Sequence, residues 1–166
     1  MNKAKIEWDD SKLKAEVRDA TMKRLIMAGE IVARICKRSM GSGISGYKSY
    51  PKTKKKILHW SSKPGEPPHV DTGRLRASIT WAISEGAQQG TMLVNPSTDP
   101  DNPSKESDAV DKPPKQKNIV TVIVGTNVEY AKALEFGFAP RNLAARPYLR
   151  PALEKAIEKI KWLFYR

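Results

Sequence analysis

Residues 63–80, KPGEPPHVDTGRLRASIT, carry three prolines and then switch abruptly to helix and strand chemistry. Proline fixes φ near −65° and removes a backbone donor, so residues 64–68 are expected to run extended and stay out of a central sheet. Asp71 and Thr72 are helix N-cap types and stand just before Gly73-Arg74-Leu75-Arg76. Gly73 permits a tight backbone and Leu75 is expected to pack inward. An extended arm, a capped turn and a strand make a docking device rather than an active site.

Upstream, residues 9–39 read as one long helix. Leu13, Val17, Thr21, Leu25, Ala28, Val32 and Ile35 recur at three-to-four spacing and mark its buried face. Asp9, Asp10 and Ser11 can cap it; Lys37 and Arg38 suit its negative end, and Gly41 and Gly43 stop it. Residues 41–62 then form a basic loop excursion.

Downstream, residues 77–84 (ASITWAIS) alternate, with Ile79, Trp81 and Ile83 on one side, as in a half-buried strand. Residues 91–94 are its candidate continuation or partner. The segment 95–118 is rich in Pro, Ser, Asp and Lys and is expected to be a long, mobile, polar surface loop. Residues 119–125 (IVTVIVG) are β-branched at nearly every position and read as a strand. A short helix is expected over 128–136 with Gly137 as its stop, then a loop pinned by Pro140 and Pro147. A terminal helix follows, with Pro151 in its first turn and Leu153, Ala156, Ile157, Ile160 and Leu163 facing inward. The sum is one α+β domain over 1–166. A long N-terminal helix and a C-terminal helix pack on a small antiparallel β-sheet, with long loop insertions.

The chain has 166 residues and a formal net charge of +12, which suits a polyanion or an acidic protein surface as neighbour and equally a soluble surface that is simply rich in lysine. The charge is uneven: residues 41–70 hold six lysines against one glutamate. Lys52, Lys54, Lys55 and Lys56, interleaved with Tyr47, Tyr50 and Trp60, could contact nucleic acid, anchor a protein or cover the core edge. The single cysteine, Cys36, falls in an apolar helical pattern and allows no intramolecular disulfide. The first ten residues lack a signal-peptide core, and no apolar run is long enough to span a membrane.

No catalytic pattern emerges. His59 and His69 are the only histidines, too few with one cysteine for a structural zinc site, and no G-x-S-x-G elbow or Walker loop occurs. Glu129 and Glu135 project differently from their helix and do not form a carboxylate pair. No cofactor is expected.

Three segments in order carry a resemblance: PGEPP followed by DTGRLRAS over 64–78, GTNVEYAKALEFG over 125–137, and ARPYLRPAL over 145–153. Together they resemble the HK97 gp10-like tail-component, or neck, proteins of long-tailed bacteriophages. The resemblance covers about two-thirds of the chain. It implies a non-enzymatic virion protein at the head–tail junction or the head-proximal end of the tail, assembled in the bacterial cytoplasm. Implied partners are connector and tail proteins and further copies in a ring, hexameric in the virion. A tail-terminator role fits the same resemblance, and a lumen-facing basic loop could touch genomic DNA. The implied interface residues are Pro64, Gly65, Pro67, Pro68, Asp71, Thr72, Gly73, Leu75, Tyr130, Glu135, Phe136 and Arg146. Tyr130 and Leu134 share a helix face, and Glu135 is a candidate partner for Arg146. Arg146 could equally cap a carbonyl or be solvated.

Overall fold

The structure is a computed structural model; it describes residues 10–41, 47–49, 56–58, 62–70, 73–85, 105–117 and 119–165. Helix α1 spans Asp10–Ser39. A small hairpin follows, β1 (Tyr47–Ser49) antiparallel to β2 (Lys56–Leu58), so the expected loop excursion contains paired strands. The short helix α2 (Arg74–Ser78) leads into β3 (Thr80–Ile83). A 3-10 turn at Glu106–Asp108 precedes β4 (Val122–Gly125). Helix α3 (Ala131–Phe136), a 3-10 turn at Ala139–Arg141 and helix α4 (Leu149–Phe164) complete the order. The α+β class and the two long helices on a small antiparallel sheet are as the sequence implies.

Strands β3 and β4 pair antiparallel with Trp81 opposite Val124 and Ile83 opposite Val122. Paired residues point to one side of a sheet, so these four share a face, and α1 lies on it. The approach is close. A Cβ added at Gly29 would sit 3.1 Å from Val122 and 3.2 Å from Trp81, so glycine sets the helix–sheet spacing. Contrary to the half-buried expectation, β3 is buried on both faces. The second face is covered by the segment after the 3-10 turn, where the Val110 amide donates to the Thr80 hydroxyl at 2.9 Å. β-Branched chemistry extends upstream of β4, but regular pairing with β3 begins only at Val122.

Helix α4 packs along α1 through small residues. Ala152 and Ala156 are buried on α4; Ala28, Gly29, Val32, Ala33 and Cys36 are buried on α1. Small side chains let helix axes approach, and the core cluster also gathers Tyr148, Leu75, Ile79 and Val128. This corrects two expected faces. Leu153 is 49% exposed and Ile157 40%, so they do not face inward. Leu13 and Val17, at the start of the expected α1 stripe, are also exposed. The alanine face of α4 sits against the middle and C-terminal part of α1, and the larger residues are displaced to its flank.

The proline stretch is also corrected. Residues 63–66 form a β-turn, closed by the Glu66 amide on the Lys63 carbonyl at 3.1 Å, with Gly65 at φ +82°. Proline at the second position and a left-handed glycine at the third are the residues this turn requires. The chain is therefore folded at 64–66 and extended only from 67. Asp71 and Thr72 lie outside the described residues; the N-cap position of α2 is Gly73, at φ +85°.

Candidate functional site

The turn at 63–66 does not project as an arm. The Gly65 amide donates to the Ala145 carbonyl at 2.9 Å, and Arg146 Nε donates to the Ser62 carbonyl at 3.2 Å. Pro68 is buried while Pro64 and Gly65 face solvent and Pro67 is intermediate. The PG-PP stretch and the ARP segment, far apart in sequence, thus form one surface.

Arg146 is spent on that carbonyl, and the expected Glu135–Arg146 pair does not form. Glu135 is buried at the end of α3 and accepts three backbone amides: Tyr148 at 2.8 Å, Leu149 at 3.0 Å and Arg150 at 3.0 Å. These are orphan N–H groups at the start of α4, whose N-cap residue Tyr148 supplies no side-chain cap. A carboxylate there satisfies the donors and complements the positive helix end. Gly137, at φ +80°, turns the chain immediately after α3; a Cβ there would meet the Leu143 carbonyl oxygen at 3.0 Å.

Sequence reasoning missed a second charged cluster. Arg74 is 5% exposed and Asp108 3%. Arg74 Nε and Nη2 donate to the two Asp108 carboxylate oxygens, each at 2.8 Å. Nη1 and Nη2 also donate to Glu129, at 3.1 Å each. The fork-on-carboxylate geometry is the strong form of such a pair. Hydrogen bonding from Arg74 holds the Asp108 carboxyl below its ordinary range, and Asp108 raises the guanidinium in return. Asp108 further accepts the Lys105 amide at 3.0 Å, fixing the 3-10 turn that covers β3. So the polar segment 105–117, which composition suggests is a surface loop, carries a buried anchor. A third pair, Arg18 with the buried Glu85, joins the N-terminal half of α1 to the end of β3 through two hydrogen bonds, one at 3.0 Å.

These groups are saturated by one another and present no free nucleophile. Cys36 is fully buried, and burial pushes its thiol up to about 12, where it is inert. Among the described residues, no group of three or more His, Cys, Asp or Glu could hold a metal. Lys52, Lys54 and Lys55 lie outside the described residues, as do Tyr50, His59, Trp60 and residues 91–94; Lys56 opens β2.

What the fold leaves open is apolar. Between α1, β4, α3 and α4 runs a groove of about 730 Å³, floored by residues such as Leu25, Val32, Val122 and Val124 and walled by Leu153 and Phe164. Phe136, at its edge, is 75% exposed. Ile157 of α4 and Phe138, which precedes the 3-10 turn at Ala139–Arg141, are exposed as well. Of the expected interface residues, Leu75 is buried, Tyr130 is partly buried against the core, and Phe136 is exposed.

Residues 9–137 match the family HK97-gp10_like, described as "Bacteriophage HK97-gp10, putative tail-component". Neither a curated protein nor a solved structure matches the chain.

Proposed function

Because the chain belongs to the HK97-gp10-like family of bacteriophage tail components, its role is that of a phage structural protein, and we propose that it acts at the head–tail junction as a neck or tail-completion ring subunit. The observation that supports this reading is the inversion of α4. Its alanines are inside, while Leu153, Ile157 and Phe164, with Phe136 of α3, are left outside. Monomers rarely expose a contiguous apolar surface of this kind unless a partner covers it. The charged groups of the interior, Arg74–Asp108–Glu129 and Glu135, hold loops and helix ends, which supports a subunit of fixed shape.

In this reading the partners are connector and tail proteins, with further copies completing a ring. The fused surface of residues 62–68 and 145–146 is a rigid edge available for such contacts. Its preorganisation lowers the ordering cost of assembly. The location is the virion; no helix among the described residues is long and apolar enough to cross a membrane.

The test is deletion of the gene followed by electron microscopy. The expected products are filled heads and separate tails, or tails defective at one end. Tails of uncontrolled length would instead indicate a terminator role. Normal, infectious particles lacking the protein would overturn the proposal.

A further inference from the structure

Resting on the reading above, we infer that the groove between α1, β4, α3 and α4 is the seat of an acidic, amphipathic helical segment belonging to a different virion protein.

The chemistry of the groove selects an apolar insert. The carboxylate of Glu135 is filled by three backbone amides. The hydroxyl of Thr126 accepts from the Val128 amide at 3.1 Å and reaches the Asp108 carbonyl at 3.2 Å. The buried polar groups of the lining are thus occupied, and a sugar or polar peptide set on the apolar floor would lose its hydration there without replacement. The volume, about 730 Å³, falls in the range that holds a ligand or several large side chains.

The dimensions select a helix. The α4 wall runs from Leu153 to Phe164, eleven steps, or about 16 Å at 1.5 Å rise per residue. That length matches about three turns of an amphipathic helix laid in a groove, anchored by residues at i, i+3/i+4 and i+7. A fatty acid would need enclosure. Here the apolar surface continues past the rim onto Phe136, which a protein segment would cover and an acyl chain would not.

The charge selects the partner. The exposed charged residues of the lining are Lys132 and Arg150; Arg150 donates to Glu154 on the next turn of α4 at 3.3 Å, which leaves Lys132 as the cation offered to a partner, while the acid of the lining, Glu135, is buried and internally satisfied. The whole chain is at +12. A second copy would bring cations to cations, whereas an acidic segment is drawn to this mouth and held in register by it. Copies in a ring would therefore meet through other faces.

The experiment uses the full chain, carrying Phe136→p-benzoylphenylalanine, in assembled particles from the encoding phage. Irradiation is expected to join it to another virion protein at one segment with net negative charge and large apolar residues at helical spacing. Lys132→Glu should cut the crosslink yield about fivefold or more, the effect of losing a charge contact of about 1 kcal/mol. Lys159→Glu, on α4 outside the groove, should leave it unchanged. Circular dichroism matching the parent confirms that both variants fold. Crosslinks to a second copy, to this chain's own residues, to lipid, or to nothing in particles that contain the protein would overturn the inference while leaving the function standing. So would an unaltered yield with Lys132→Glu. Absence of the protein from particles would remove the function and the inference together.

Discussion

Replacing Glu135 with alanine tests the join between α3 and α4. The substitution leaves the amides of Tyr148, Leu149 and Arg150 without their acceptor at a buried helix start. Each bond to a charged acceptor is worth about 1.5–3 kcal/mol net, but the three are not additive, because water and a tighter first turn recover part of the loss. Helix-capping substitutions cost up to about 2 kcal/mol and the lost charge–dipole interaction up to about 2 more, so about 3–4 kcal/mol is expected. For a chain of this size that lowers Tm by roughly 10 °C. Glu135→Gln keeps one acceptor oxygen and should cost about half as much, since the charge is lost but a capping bond remains. Thermal unfolding gives the first measurement, and hydrogen exchange at the three amides gives the second. They should lose protection selectively in Glu135→Ala. A double-mutant cycle with Arg146→Ala supplies the third, and its coupling energy should be near zero because the two side chains do not meet. A destabilisation below about 0.5 kcal/mol, or a coupling above about 1 kcal/mol, would refute the capping account.

Arg74→Ala and Asp108→Asn should each cost about 3–5 kcal/mol in chemical denaturation, because each leaves a buried partner uncompensated, whereas Glu129→Gln should cost under about 1 kcal/mol at its exposed position. Stability should also depend on acid: the folded Asp108 carboxyl lies below its ordinary value of 3.8, so its contribution is complete above that value and is lost as pH falls through the folded one. Asp108→Asn should flatten that acid slope in a pH series of unfolding curves. Gly137→Ala combines φ +80° with contacts at 3.0 and 3.1 Å and should cost well over about 1 kcal/mol, while Gly65→Ala, at φ +82° with open space around it, should cost about 1 kcal/mol from backbone strain alone. The Cys36 thiol, pushed up to about 12 by burial, should react with a thiol reagent only at the rate of unfolding, and fast labelling of the native protein would contradict its place in the core.

Helix α1 and strand β4 were legible in the sequence because repeated side chains at a fixed period can be read without knowing the partner surface. The packing face of α4 was not. Periodicity places Leu153 and Ile157 on a stripe, and size suggests that the stripe faces in. The neighbouring helix carries small buried residues, Ala28, Ala33 and Cys36, however, and the α4 residues buried beside it are Ala152 and Ala156. The role of Glu135 was hidden because its partners are backbone amides, which carry no signature in a sequence. One clue was present: the segment entering α4, Arg146-Pro147-Tyr148-Leu149, contains no Ser, Thr, Asp or Asn to cap it, so its orphan donors need an acceptor from elsewhere. Asp108 was concealed by the composition around it, since only the tertiary position of Arg74 distinguishes it from the other acids of that polar stretch. The proline stretch was misjudged for a local reason. Gly65 next to Pro64 specifies a turn, and the rigidity of proline alone does not reveal it.

The pairing of α1 with α4 has a consequence in time. The contact from the Cys36 thiol to the Tyr148 carbonyl spans 112 positions. At a translation rate of about 5–20 residues per second, α1 waits roughly 6–22 s between leaving the ribosome and meeting its partner. During that interval its small-residue face is uncovered, and such long-range closure is slow to form. Helix α4, which emerges after α1 and the sheet, is also a wall of the apolar groove. A chain cut short by stalled translation or proteolysis would lack both the closure of the core and the groove. Completion of the fold and readiness to join a larger structure therefore arise in the same step, and unfinished copies are kept from occupying a place that a finished one needs.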